Sequence, residues 1–177
     1  MIDSSRHFLS IDSIIKLVTA MPLSKLNVLH WHLVDDESFP VELASHPELA
    51  QGGKYSNKET YSLSDMQRVI AAGQLNAVQI VPEIDTPAHV RSWGESASWK
   101  AKNISIKCNG GTGYNGQFDL SKLETYTLAQ DVVREVNSIF SSSPYIHLGG
   151  DEVSSNCWNL RPEIQNFMKM QGIANYG

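Results

Sequence analysis

The fold and the candidate site both depend on one stretch, Tyr145-Ile146-His147-Leu148-Gly149-Gly150-Asp151-Glu152-Val153. Apolar residues run into two glycines and then into two adjacent carboxylates, a pattern that predicts a strand ending in a sharp turn. Acids directly beyond a strand end are poorly placed for a core and well placed for a functional site. The alternative is that Asp151 and Glu152 begin a helix, where acidic side chains suit the positive end of the dipole.

Outside this stretch, strand-like and helix-like segments alternate along the chain. Strands are predicted at residues 2–3, 25–34 and 78–84 and before Gly149, and helices at residues 11–21, 65–73, 121–140 and 161–170. Ser64 and Gln67 have the spacing of a capping box for the second helix. Residues 37–62 and 92–118 are predicted to be long loops, which are usually functional. The alternation implies parallel strands with right-handed crossovers, so the sequence predicts an α/β fold of roughly four β/α units, the N-terminal half of a (β/α)8 TIM barrel.

Composition excludes several classes of protein. The 177 residues are 41% hydrophobic, enough for one domain with a real core. A net charge of −5 without a basic run gives no indication of a nucleic-acid partner. No apolar run is long enough to span a membrane, and residues 1–6 have no feature of a signal peptide.

Two features nevertheless suggest a secretory route. Asn103-Ile104-Ser105 is an N-glycosylation sequon, although such triplets also arise by chance. The two cysteines, Cys108 and Cys157, have a spacing that suits neither a zinc site nor a redox motif, and they are compatible with two buried thiols or with one disulfide. A chain that is truncated at its N-terminus would reconcile these features with the missing signal peptide.

Polar side chains gather after the predicted strands, where both open α/β sheets and barrels place their sites. The set is Arg6, His30, His32, Asp35, Asp36, Glu83, Asp85, His89, His147, Asp151 and Glu152. Such a set suits general acid–base chemistry on a polar substrate. Arg6 offers planar donors for sugar hydroxyls or a carboxylate, and is equally compatible with a surface ion pair. His30 and His32 face one side of their strand, as a candidate metal pair or, preferably, as core imidazoles bonded to their neighbours.

The adjacency of Asp151 and Glu152 constrains the mechanism. Glycosidases that use two carboxylates place them on opposite sides of the bond, about 5 Å or more apart. Neighbours in an extended strand point to opposite faces, so these two do not form such a pair by default. The residues alone allow one acid to donate a proton while the other has a different role.

Several segments resemble the β-N-acetylhexosaminidases of glycoside hydrolase family 20, in the order of that family and over nearly the whole chain. They are Ile2-Asp3-Ser4-Ser5-Arg6-His7-Phe8, Leu26-Asn27-Val28-Leu29-His30-Trp31-His32-Leu33-Val34-Asp35-Asp36, Pro82-Glu83-Ile84-Asp85-Thr86-Pro87-Ala88-His89 and His147-Leu148-Gly149-Gly150-Asp151-Glu152-Val153. The resemblance implies retaining hydrolysis in which the 2-acetamido oxygen of the substrate is the nucleophile. It implies that Glu152 is the proton donor, that Asp151 orients the acetamido group, that Arg6 binds the sugar, and that His89 and Asp35 support Glu152. It implies neither a metal nor an organic cofactor.

The resemblance carries further expectations. Cys108 and Cys157 match positions that are disulfide-bonded in lysosomal members, and closing a loop of about 50 residues contributes up to roughly 4 kcal/mol. Together with a sequon at Asn103, this implies a parent protein that is lysosomal or secreted. The family usually has glycine at Ala88 and often at Ala77, so Ala88 is expected to be strained if its φ is positive.

Family members also have an N-terminal domain and a complete barrel, so residues 1–177 are predicted to be a partial catalytic barrel that is inactive alone. The expected partners of the parent are glycans and glycoconjugates ending in N-acetylglucosamine or N-acetylgalactosamine, with a possible homodimer and no nucleic acid. Two alternatives stay open. One is a metal-dependent barrel hydrolase that uses His30 and His32, and the other is a non-catalytic fragment.

Overall fold

A parallel sheet forms the centre of the computed structural model, which describes residues 1–110 and 113–175. Its strands are β1 (Ile2–Asp3), β2 (Val28–Val34) and β3 (Gln79–Ile84), in the order β1-β2-β3. The register places Ile2 opposite Trp31 and His32 opposite Glu83. The carboxyl ends of all three strands therefore meet at one edge, as the alternating pattern predicts.

The segment before Gly149 lies beside β3 as a fourth parallel element, but it is not a regular strand. The N–H of His147 donates to the Pro82 carbonyl at 2.9 Å, and the N–H of Ile84 donates to the His147 carbonyl at 3.0 Å. Only one bridge, between Glu83 and His147, forms there in the described residues. The prediction of a regular strand is therefore wrong, because the segment has a described partner on one side only.

Helices cover the outer face of this sheet and also pack against the long connections between its strands. They are α1 (Ile11–Ala20), α2 (Pro47–Gly53), α3 (Leu63–Leu75), α4 (Ala97–Lys102), α5 (Leu123–Ile139), α6 (Ser155–Asn159) and α7 (Pro162–Gln171). α3 begins at Leu63, two residues before the predicted start, because Ser62 and Asp65 form its capping box. The predicted box of Ser64 and Gln67 is therefore wrong. None of the described helices is long and apolar enough to cross a membrane.

The core lies between the sheet and α1, α3 and α5. Trp31 is fully buried and meets the rings of Tyr61 and Phe140 edge-on, at centroid distances of 5.3 and 6.1 Å. Strand alternation then turns His30 and His32 to the opposite face, away from the helices. The two faces of β2 thus separate packing from chemistry.

The two predicted long loops contain regular structure. The first includes α2, and the second includes a 3₁₀ turn (Ser92–Gly94), α4 and an antiparallel hairpin of β4 (Ser105–Gly110) and β5 (Gly113–Phe118). These predictions are therefore wrong. The hairpin matters for function, because it packs beside the loop that carries Asp151 and Glu152.

Candidate active site

The strand ends and the loops after them form one polar cleft of about 320 Å³. Its lining side chains come from β1, β2, β3 and the segment after His147, and include Arg6, His30, His32, Glu83, Asp85, His147 and Asp151. His89, Asp35 and Glu152 lie directly behind or beside this lining. The structure thus brings together all the catalytic and sugar-binding candidates from the sequence.

Asp35, His89 and Glu152 form a line of side-chain contacts from the protein interior to the surface. Asp35 is fully buried, and its Oδ1 lies 3.2 Å from Nδ1 of His89. Nε2 of His89 lies 3.3 Å from Oε2 of Glu152, a side chain that is 64% exposed. The hydrogen bond to Asp35 raises the pKa of His89 to about 9 against the effect of burial. An imidazolium therefore separates a buried carboxylate from an exposed one.

A second histidine binds Asp35 from the other side. Nε2 of His32 lies 2.7 Å from Oδ2 of Asp35, and its Nδ1 lies 2.8 Å from Oε2 of Glu83. Burial disfavours the charged ring, but the hydrogen bonds to Asp35 and Glu83 raise the pKa of His32 to about 10. Burial likewise opposes ionisation of Asp35, yet His32 and His89 hold the pKa of that carboxyl well below its usual range.

Three imidazoles surround the carboxylate of Glu83, and their geometry bears on the alternative of a metal site at His30 and His32. Besides His32, Nε2 of His30 lies 2.7 Å and Nδ1 of His147 lies 2.9 Å from its carboxylate. Of these three contacts, the one from His32 is a hydrogen bond, whereas Nδ1 of His147 accepts from the N–H of Gly149 at 3.0 Å and Nε2 of His30 has no hydrogen-bond partner among the described residues. His30, Glu83 and His147 therefore keep the donor set of the metal alternative, which the chelation assay below decides. The sequence assigns no individual role to Glu83 or His147. The register between β2, β3 and the His147 segment places both residues level with His32.

Arg6 lies at the mouth of the cleft within a group of acids. Its guanidinium is 2.7 Å from Asp3, 2.7 Å from Asp35 and 3.2 Å from Glu37. The side chain is 39% exposed. All three guanidinium nitrogens are in ion pairs, as one of the two interpretations expects, and the residue also lines the cleft.

Backbone conformation explains how Asp151 and Glu152 converge. Gly149, Gly150 and Glu152 all have positive φ, at 66°, 106° and 54°. The chain therefore does not continue as an extended strand, and Oδ1 of Asp151 lies 3.9 Å from the same His89 nitrogen that faces Glu152. The expectation that these two acids diverge holds for a strand and does not apply here.

Asp85 stabilises the turn at Gly149 and Gly150. Its Oδ1 accepts a hydrogen bond of 2.9 Å from the N–H of Gly150. Burial raises the pKa of Asp85 to about 6 in spite of that bond, and the neighbouring Asp151 carboxylate acts in the same direction as burial. A Cβ at Gly149 would overlap the Asp85 carboxylate, so the turn requires glycine there.

The β4–β5 hairpin holds the far side of the loop. Cys108 and Cys157 form a disulfide, which confirms the pairing that the family resemblance implies. Asp36 accepts backbone hydrogen bonds from Arg91 and Gly116, and so ties the end of β2 to β5. The loop with Glu152 is thus fixed between the sheet and the hairpin.

Three other residues singled out by the sequence lie outside the cleft. Asn103 is exposed at the C-terminus of α4, with a φ of 51°. Ala77 has a φ of 54°, whereas Ala88 is buried and has no positive φ. The expected strain therefore falls on Ala77 and not on Ala88.

Comparison with known proteins gives a consistent result. The family model for the glycosyl hydrolase family 20 catalytic domain matches residues 1–177. The chain is 40% identical to the beta-hexosaminidase subunit beta of Mus musculus, over 99% of this chain and 32% of that protein. It is 39% identical to the chitooligosaccharidolytic beta-N-acetylglucosaminidase of Bombyx mori, over 95% of this chain and 28% of that protein. The chain spans about a third of the length of the curated relatives it matches.

Solved structures agree with the fold. The chitobiase of Flavobacterium johnsoniae superposes with a TM-score of 0.83 at 31% identity, over 97% of this chain and 26% of that one. The exo-beta-N-acetylglucosaminidase of Vibrio harveyi superposes with a TM-score of 0.84 at 28% identity, over 98% and 30%. The predicted fold class is confirmed, since four parallel β/α units match the N-terminal part of a TIM barrel. On this evidence the chain belongs to glycoside hydrolase family 20 and forms the N-terminal part of its catalytic barrel.

Proposed function

We propose that this chain supplies the acid–base residues of a β-N-acetylhexosaminidase. The longer enzyme of which it would form part removes terminal, non-reducing N-acetyl-D-hexosamine residues from β-hexosaminides. The observation that carries the proposal is the line from Asp35 through His89 to Glu152, with Asp151 beside the same imidazole nitrogen. The nearness of both carboxyl groups to one imidazole nitrogen beside a polar cleft supports the roles of proton donor for Glu152 and of orienting group for Asp151.

Glu152 acts as the general acid and then as the general base. It protonates the glycosidic oxygen while the acetamido oxygen of the substrate bonds to the anomeric carbon, and it later takes a proton from the attacking water. Loss of the first proton leaves a carboxylate, whose charge the His89 imidazolium at 3.3 Å compensates. Asp35 balances the charge of His89 in turn, so the line is neutral while Glu152 is protonated and carries one negative charge after the proton has left.

Asp151 orients the acetamido group and stabilises the positive charge that develops on it. The raised pKa of Asp85 supports this role, because a protonated Asp85 can donate a hydrogen bond to the side chain of Asp151 and hold it in place. Arg6, which lines the cleft, binds hydroxyls of the terminal sugar with the guanidinium N–H groups that its ion pairs do not use. Each step uses only protein side chains, the substrate and water.

The test uses the full-length protein and an aryl N-acetyl-β-glucosaminide. Glu152→Gln is expected to lower kcat by about a hundredfold or more, since general acid–base catalysis contributes factors of that size. Glu163→Gln, an exposed acid in α7, is the matched control and should keep wild-type activity. Unchanged hydrolysis by Glu152→Gln would contradict the assignment. Loss of activity on chelation would favour the metal-dependent alternative.

Residues 1–177 alone are expected to be inactive, because half a barrel leaves the sugar site open on one side. Hydrolysis by the isolated chain at the rate of the full-length protein would contradict this. The substrate range follows from parallel assays with aryl N-acetyl-β-glucosaminide and N-acetyl-β-galactosaminide. We expect turnover of at least one of them, with glycan and glycoconjugate ends as the natural substrates.

A lysosomal or secreted parent completes the proposal. The disulfide supports an oxidising compartment, and the exposed Asn103 is accessible to glycosylation. Digestion of the protein from its native source with an N-glycosidase should lower its mass, and Ser105→Ala should abolish that change at this site. A mass that does not change on N-glycosidase digestion would argue against modification of Asn103.

A further inference from the structure

Gln117 makes two hydrogen bonds to the backbone of the loop that carries Glu152. Its side chain is buried, with 1% exposure. Its Oε1 accepts from the N–H of Ser154 at 2.8 Å, and its Nε2 donates to the carbonyl of Ser154 at 3.1 Å. The amide thus pairs with both backbone groups of one residue, as a neighbouring strand would, two residues beyond Glu152.

The backbone on either side of Gln117 binds the segment that carries His89, the other partner in the acid–base line. Gln117 forms an antiparallel bridge with Ala88, directly before His89. The N–H of Phe118 donates to the Pro87 carbonyl at 2.8 Å, and the N–H of Val90 donates to the Gly116 carbonyl at 3.2 Å. β5 therefore holds the His89 segment through the main chain of the two residues that flank Gln117, and the Glu152 segment through the side chain of Gln117.

We propose that Gln117 is a positioning residue that sets the distance between His89 and Glu152. This inference rests on the proposed function. Glu152 needs such support, since its left-handed backbone is unfavourable for a residue with a Cβ and its carboxylate is largely exposed. The disulfide at Cys157 restrains the same loop, but five residues away from Glu152.

The experiment separates positioning of the acid from general loss of structure. Gln117→Met keeps the volume of the side chain and removes both hydrogen bonds, and Gln117→Glu keeps only the acceptor. Gln79→Met is the matched control, because the Gln79 amide bonds to Ser143 Oγ at the opposite end of β3. All are made in the full-length enzyme, and thermal unfolding shows which variants fold.

The kcat/KM values for two substrates report on the position of the proton donor, Glu152. In phenyl N-acetyl-β-glucosaminide, the bond from the anomeric carbon to oxygen breaks as Glu152 gives its proton to the departing phenoxide. In the 2,4-dinitrophenyl glycoside, the phenolate leaves without a proton. Misplacement of Glu152 therefore slows only the first substrate, whereas a smaller folded fraction lowers both equally.

We expect Gln117→Met to lower kcat/KM on the phenyl glycoside about tenfold or more, and on the dinitrophenyl glycoside less than about threefold. Gln117→Glu should lie between wild type and Gln117→Met, and Gln79→Met should match wild type on both. Equal loss on the two substrates, no loss on either, or failure of both Gln117 variants to fold would overturn the proposal. An inactive wild-type enzyme would instead contradict the proposed function.

Discussion

Replacing Asp35 with asparagine is expected to destabilise the protein by about 3 kcal/mol at pH 7. Asp35 is fully buried, and its oxygens lie 2.7 Å from Arg6 and His32 and 3.2 Å from His89. Folding raises the pKa of His89 from 6.5 to about 9, and Asp35 is the main cause. A pKa difference of that size contributes about 3 kcal/mol to the free energy of unfolding when the ring is protonated. Asparagine keeps the shape of the side chain and removes the charge.

The same linkage fixes the direction of the pH dependence. Because folding raises the pKa of His89, its stabilisation is fully present below about pH 6.5 and is lost as the pH rises through about 9. His32 acts in the same direction, over a range that extends to about pH 10. The wild-type protein should therefore lose stability between pH 7 and 10, and Asp35→Asn should show a much flatter dependence.

Urea denaturation of both proteins across this pH range measures the difference, and NMR titration of the histidine Cε1 protons locates the pKa directly. His89→Gln identifies the relevant resonance. Asp12→Asn, which removes an acid whose side chain is 75% exposed, is the control and should change stability by less than about 1 kcal/mol. The reasoning fails if His89 titrates near pH 6.5 in the wild type, or if Asp35→Asn and wild type give parallel curves.

Two further substitutions test the backbone geometry. Gly149→Ala should abolish activity and lower the Tm markedly, because its Cβ would overlap Asp85, whereas Gly172→Ala at a similar φ meets open space and should cost about 1 kcal/mol in urea denaturation. Equal effects of these two changes would show that the overlap is relieved. Ala77→Gly should raise the free energy of unfolding by about 1 kcal/mol, because it relieves a left-handed alanine at an exposed site, and a lower value would contradict that strain.

The sequence predicts those parts of the fold that depend on local periodicity. Alternation in β2 separates Trp31 from His30 and His32, and the structure places the tryptophan in the core and the histidines in the cleft. The spacing of apolar residues predicts α1 and α5 to within two residues at each end. The collection of polar residues after the strands also follows, because parallel strands end at one edge.

Features that depend on contacts between distant segments could not be predicted in this way. The β4–β5 hairpin has few β-branched or aromatic residues and many glycines, so its strands are formed by pairing and by contacts with the neighbouring loops. The convergence of three histidines on Glu83 requires the register between β2, β3 and the His147 segment. Gln117 lies in the same hairpin, and nothing local distinguishes its amide from that of a surface glutamine.

The adjacency of Asp151 and Glu152 shows how local sequence patterns combine with contacts between distant segments. Adjacent acids in a strand cannot serve one reaction centre, but two glycines followed by a left-handed glutamate bring both carboxylates to one imidazole nitrogen, at 3.9 and 3.3 Å. A left-handed residue with a Cβ costs of order 1 kcal/mol and persists only where surrounding contacts determine it. Here the contacts come from both sides, through Asp85 at Gly150 and through Gln117 at Ser154. The exposed acids are therefore held by buried neighbours, which explains how a loop rather than a regular strand can present them accurately.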